Sequence, residues 1–325
     1  MSLASSARKP VIRAADLALA PFVYPAGLLL KRIRNVGLDK MPACRDAMMR
    51  IGVFPLRDHY YEPMFDSRHL LHDLSDERPL PAIDWNLTGQ LELLESFRYQ
   101  DELRDIPSSQ TDDVTFYLKD GENGWFDAGD AEYLYQMVRS KKPSRIVEVG
   151  SGFSTMIASR AIKANRADDA SYTCEHVCIE PYENAWLSKL DVKLVRERVE
   201  KADPTLFASL KENDIVFIDS THVIRPQGDV VFEFLELLPS LPRGVIVHVH
   251  DIFTPRDYPA SWVKDDIRFY NEQYLLEAFL SHNPDWKVVG ALNYLAHHNH
   301  ELLREKCPYL QPHSEPASFW IQRVA

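Results

Sequence analysis

Cysteine is scarce in this 325-residue chain, and its four copies (Cys44, Cys174, Cys178, Cys307) form no C-x-x-C pair or framework spacing. A disulfide scaffold is excluded, and reduced thiols in a cytoplasmic protein are the expectation. A basic surplus is also lacking: 37 Lys and Arg stand against 48 Asp and Glu, a net charge of −11. Nucleic acids and anionic membranes are gripped by basic faces, so neither is expected as a partner. No internal repeat or low-complexity tract occurs. A long hydrophobic run is missing as well. The nearest approach, AADLALAPFVYPAGLLLK (14–31), contains Asp16 and two prolines. It falls short of the roughly 20 apolar residues that a span requires. No small-residue cleavage site follows a clean apolar core. The segment therefore reads as a helix packing on the main domain, with peripheral membrane contact as the lesser alternative, and no integral membrane span is expected.

What remains is ordinary for a soluble globular protein: 45% apolar and 26% charged residues, enough chain for a large core. Two styles of sequence divide it. Residues 1–110 are helical and irregular, cut by Pro21, Pro25, Pro42, Pro55, Pro63, Pro79 and Pro81, and end in a helix over 81–97 that Asn86 or Thr88 could cap. From 111 to 325, short β-branched runs alternate with helical stretches: RIVEVG, TCEHVCIEP, VKLVRERV, DIVFIDS, GVIVHVHDIF, WKVVGALNYL and SFWIQRV. Helices are predicted over 127–142, 154–165, 183–190, VVFEFLELLPSL and 268–282. This alternation predicts an α/β fold, a parallel sheet covered on both faces. The last two strands are close in sequence, which suits an antiparallel edge.

The first run ends in EVGSGFST (148–155), where Gly150 and Gly152 mark a backbone that approaches a ligand closely. A dinucleotide fingerprint needs a third glycine, but Thr155 holds that position, and Glu148 would face the like charge of a pyrophosphate. Opposite the ammonium or sulfonium of S-adenosylmethionine the same carboxylate is favourable. Next, VCIEPYE puts Glu180 at a strand end, where it can accept hydrogen bonds from ribose hydroxyls. DIVFIDSTH ends in Asp219 with His222 close behind, and GVIVHVHDIF ends in His250-Asp251. Ligands of open α/β sheets sit beyond the carboxyl ends of the strands, and four strands converge there with polar termini.

Taken together, EVGSGFST, IEP, FIDSTH and VHDIF resemble the class I S-adenosylmethionine-dependent methyltransferases, in particular the bacterial group near cephalosporin-type and sugar O-methyltransferases. The resemblance covers roughly 111–325. It implies a Rossmann-like, seven-stranded, mostly parallel sheet with an antiparallel last strand, preceded by a mainly helical accessory region. By position it implies that Glu148, Gly150, Ser151, Gly152, Ser154 and Thr155 line the methionine part, with Glu180 at the ribose and Asp219 beside the cofactor. The adenine neighbours after RERVEKAD are not legible.

The acceptor is expected to be a hydroxyl on a sugar, polysaccharide or secondary metabolite, with a nitrogen acceptor as the open alternative. His222, at a titration point near neutrality, or His250 beside Asp251 would take its proton. His248 alternates with Val249 on its strand and reads as a buried structural residue. A divalent metal (Mg²⁺, Mn²⁺ or Fe²⁺) between Asp219, His250 and Asp251 is the other route, although His250 departs from the carboxylate that metal-bearing relatives carry there. Asp58, His59, Tyr60 and Tyr61 in DHYYEP offer aromatic faces and hydroxyl rims for an acceptor. Two rival readings stand beside this one: a nicotinamide-dependent oxidoreductase and a non-catalytic adenosyl-binding partner. Oligomeric state is open, a homo-oligomer included.

Overall fold

A computed structural model describes residues 3–182 and 184–325. The chain divides into two compact units, Met1–Leu71 and His72–Ala325. The first contains helix α1 (Leu3–Val36) and helix α2 (Pro42–Ile51). Pro42 opens α2 at a position where its missing N–H costs nothing, and left-handed Gly52 closes it. Pro10, Pro21 and Pro25 do not break α1, contrary to the expectation of short pieces. Each removes one backbone hydrogen bond, and the helix continues through it. The resulting helical stretch Pro10–Val36 is long and apolar enough to cross a membrane by length and composition.

The second unit is built on a seven-stranded sheet. Its strands are β1 (Arg145–Val149), β2 (Glu175–Ile179), β3 (Lys193–Val195), β4 (Ile215–Ile218), β5 (Ile246–Val249), β6 (Trp286–Ala291) and β7 (Phe319–Arg323). They are ordered β3-β2-β1-β4-β5-β7-β6. Neighbours are parallel except β7, which runs antiparallel to both β5 and β6. The expected Rossmann-like arrangement with its antiparallel last strand is therefore present. The central strands are apolar on both faces because helices cover both. Ile146, Ile215 and Phe217 point into one core, and Val147, Val149, Val216 and Ile218 into the other.

This unit begins near residue 72 and not near 111. Helix α3 (Leu87–Ser96) and helix α4 (Gln100–Leu103) belong to it, because Leu94, Phe97, Leu103 and Ile106 are buried in the same core as Tyr133 and Trp320. Asn86 does not cap α3 with its side chain; its amide donates instead to the Val288 carbonyl on β6 (2.8 Å). The buried Arg139 ties the pieces together. It lies on helix α5 (Asp130–Lys141), pairs with Glu102 and with Asp168 of helix α6 (Phe153–Asp168), and stacks over Tyr99. The helix predicted over 183–190 is a 3₁₀ turn at Ala185–Lys189, and the one over 268–282 is confined to Glu272–Leu280.

Candidate active site

The β1–α6 turn is shaped by two glycines with different duties. Gly150 has φ +76°, and a Cβ there would fall 1.9 Å from the Asp219 carbonyl oxygen. Only glycine lets the ends of β1 and β4 close on each other in this way, with the Asp219 N–H donating to the Val149 carbonyl (2.9 Å). A Cβ at Gly152 would meet nothing within 4 Å, so the space above it is open. Gly152 precedes α6, and its N–H donates to Thr155 Oγ1 (3.1 Å).

Two cavities open over this turn and share Gly150, Glu180 and Asp219 in their walls. One, about 150 Å³, extends toward Tyr182, Arg198 and Val199; the other, about 410 Å³, is bounded by Ser151, Gly152, Asn184, Trp186 and Trp125. Glu180 is held at their junction because its carboxylate accepts from the Ser151 N–H (3.3 Å) and the Tyr182 N–H (2.8 Å). Of the sequence-predicted cofactor residues, Gly150, Ser151, Gly152, Ser154, Glu180 and Asp219 line this space.

Glu148 is placed differently. Strand alternation turns it into the core, where its carboxylate accepts from Ser154 Oγ (2.5 Å), Thr155 Oγ1 (2.7 Å), His176 Nε2 (3.1 Å) and Cys178 Sγ (3.5 Å). Thr155 is fully buried in the same cluster. A carboxylate inside a sheet must have such partners, since an unsatisfied buried charge is costly. Glu148, His176 and Cys178 are also the one group of His, Cys, Asp or Glu among the described residues whose donor atoms lie within 4.8 Å of one another. Burial, and then the Glu148 charge, push the Cys178 thiol up, so it keeps its proton and donates it.

At the other side of the sheet's carboxyl edge, β4 and β5 are neighbours and their terminal acids converge on one imidazole. His222 Nε2 lies 3.3 Å from Asp219 Oδ1 and 3.4 Å from Asp251 Oδ2, and its Nδ1 is 2.8 Å from Glu272 Oε2. Both His222 and Asp251 have φ +58°, a left-handed backbone rare outside glycine and frequent where a site stores strain. Burial depresses the His222 pKa, but hydrogen bonds to Asp219 and Glu272 outweigh it and hold the imidazole well above its ordinary value. For Asp219, burial acts upward, and the histidines at 250 and 222 overcome it and keep the carboxyl below its ordinary range. Burial raises Glu272.

His250 lies at the β5 end with Nε2 3.6 Å from Asp251 Oδ1. It too is raised: burial lowers it, and Asp251, Asp219 and Asp130 prevail. A third cavity, about 240 Å³, contains His250, Asp251, Asp130, Phe253 and Trp262, and shares Trp125 with the glycine-lined space. His248, one turn of the strand back, is fully buried against Phe217 (4.0 Å between rings) and bonded to Ser318 Oγ (2.8 Å), as its alternation predicts. Asp219, His250 and Asp251 are thus neighbours, with the His222 nitrogen set between the two carboxylates. Glu272, Asp130 and the Arg198–Val199 wall carry no sequence signal, because each reaches the site from a distant helix or turn. In the first unit, Asp58, His59, Tyr60 and Tyr61 form an exposed cluster: His59 stacks on Tyr60 (4.5 Å), and the tyrosines are 83% and 82% exposed.

Residues 147–252, from β1 through the end of β5, match the family model described as a methyltransferase domain. That match marks residues 147–252 as a methyltransferase domain. An uncharacterized protein of Archaeoglobus fulgidus is similar to this chain, 29% identical over 175 residues, covering 50% of this chain and 76% of the relative. Among solved structures, an O-methyltransferase from Bacillus cereus in complex with SAH is 14% identical with a TM-score of 0.37, covering 73% of this chain and 91% of that one. Cofactor-bound Rv0187 from MTB is 16% identical with a TM-score of 0.39, covering 79% and 92%.

Proposed function

We propose that this methyltransferase methylates a hydroxyl oxygen of a small-molecule or saccharide acceptor, without a metal. The observation that carries the reading is the His250–Asp251 pair, in a cavity joined through Trp125 to the glycine-lined space. S-adenosylmethionine supplies a methyl group made electrophilic by its sulfonium. Gly150, Ser151, Gly152, Ser154 and Asn184 would hold its methionine part, Glu180 the ribose hydroxyls, and the Tyr182–Val199 side the adenine. Asp219 lends negative charge to this cationic cofactor.

The acceptor lies against Trp125, Phe253 and Trp262, whose flat faces suit a sugar or aromatic ring. Its oxygen gains the methyl and loses its proton to His250 Nε2, and Asp251 then stabilises the imidazolium. His222 has both ring nitrogens committed, so it acts as a fixed cation that holds Asp219 and Asp251 in place. A metal between those acids would compete with that imidazole, which favours the metal-free reading. Tyr60 and Tyr61, with Asp58 and His59, are proposed to contribute to acceptor recognition. The free cysteines suit a reducing, cytoplasmic compartment.

Incubation with labelled S-adenosylmethionine and a panel of sugars, phenols and amines tests the reading. Label in an alkali-stable ether product, undiminished after exhaustive EDTA treatment, is the expected result. Exclusive labelling of amines would overturn the oxygen assignment, and activity restored only by Mg²⁺, Mn²⁺ or Fe²⁺ would reinstate the metal. Melting temperature should rise with S-adenosylmethionine and its demethylated product but not with NAD.

A further inference from the structure

The charge of this protein is segregated along the chain. Helix α1 carries six Lys and Arg against a single acid, Asp16, whereas the remaining sequence has 31 Lys and Arg against 47 Asp and Glu. The helix is also unusually bare. Val11, Ile12, Leu17, Leu19, Phe22 and Leu29 are each more than half exposed, and Met48 is the only buried residue among those described in 1–71. An apolar helix of this length left in water would forfeit most of its burial free energy.

The arrangement of the charges says what covers it. At 100° per residue, Arg13, Asp16, Ala20, Gly27 and Lys31 fall within one narrow arc, which Arg34, paired with Glu62, closes at its end, while Val11, Phe22 and Leu29 lie on the opposite side. Between Asp16 and Lys31 the 14 residues 17–30 carry no charge, a length of about 21 Å. That is short of the roughly 30 Å hydrocarbon core, so the charged ends do not suit a crossing helix. They suit one lying in the plane of the interface, its wide apolar face among the acyl chains and its basic stripe at anionic headgroups.

We propose that α1 docks this methyltransferase onto an anionic lipid bilayer as an in-plane helix. The acidic net charge of the whole chain does not oppose this, because binding depends on the local basic stripe, and charges beyond about 10 Å are screened. The inference is independent of which acceptor is methylated.

The test is flotation of the full-length protein with preformed vesicles of phosphatidylcholine alone or with about one part in three phosphatidylserine. The protein is expected to float with the anionic vesicles and to be released by high salt. Replacing Arg13 and Lys31 by Gln should lower its partitioning about thirtyfold. The double substitution Phe22→Glu and Leu29→Glu should abolish it while leaving the thermal shift by S-adenosylmethionine intact, since both side chains are exposed. Wild-type protein that stays in solution with both vesicle types overturns the proposal. So does an oligomer dissociated by the same double substitution, which would make a second copy the cover. Retention only after detergent reconstitution would replace the in-plane helix by a crossing one.

Discussion

The Asp219 carbonyl stands where the Cβ of any residue other than glycine at position 150 would be, 1.9 Å away, whereas position 152 faces open space. Two glycines of one turn are therefore required for different reasons, the first by the fold and the second by the ligand.

Gly150→Ala should destabilise the domain by about 1–3 kcal/mol from its left-handed backbone alone, with a further loss from displacing the end of β4. Gly152→Val should leave the unfolding midpoint nearly unchanged and abolish binding of S-adenosylmethionine. Denaturant titration and calorimetry on both variants check the contrast; equal stability losses would refute it.

Glu148→Ala should act on folding before function. It strips the hydrogen-bond acceptor from buried Ser154, Thr155 and His176, at about 1–3 kcal/mol for each group left unpaired. Chemical denaturation measures this directly. A variant of wild-type stability with weakened cofactor binding would show that the carboxylate faces the ligand after all.

For Glu180→Ala, the expected loss is in affinity. Charged hydrogen bonds to ribose are worth about 1.5–3 kcal/mol, roughly a tenfold to hundredfold rise in Kd. An unchanged Kd by calorimetry would move the ribose elsewhere.

Glu272→Gln should lower the His222 pKa, because it replaces a carboxylate 2.8 Å from Nδ1 with a neutral amide. The sign for stability follows. A histidine raised by folding stabilises the native state fully below its unfolded pKa, about 6.5, and that stabilisation fades as pH rises through the higher folded value. Glu272, an acid raised by burial, weakens the fold in the same direction. Wild-type unfolding free energy should therefore fall from near pH 6.5 into the alkaline range, less steeply in the variant. NMR titration of the imidazole gives the pKa itself. Methyl transfer should rise with pH over the same range, since His250 is also raised and accepts a proton only when neutral.

Tyr60→Ala and Tyr61→Ala remove exposed rings, so stability should hold. The expected effect is a higher acceptor KM with unchanged affinity for S-adenosylmethionine. Equal loss of both affinities would mark the cluster as structural.

Local pattern alone determined the strand sequence, the glycine turn and the polar residues ending β1, β2, β4 and β5, because a doubly covered parallel sheet writes itself as short apolar runs whose ends carry the ligand groups. Neighbouring strand ends followed from the fold that this pattern implies. Tertiary structure alone decided the rest. Glu148 turns inward because His176 and Cys178, across β2, complete its hydrogen bonds, and no spacing announces that. His222 owes its charge to Glu272, fifty residues on, which in sequence is an ordinary acid in a helix's first turn. Residues 72–110 join the sheet unit because Leu94 and Phe97 fill its core, although prolines make the segment read as a separate layer. Periodicity records which face of an element is apolar; what that face or a buried charge meets depends on packing between segments far apart in the chain.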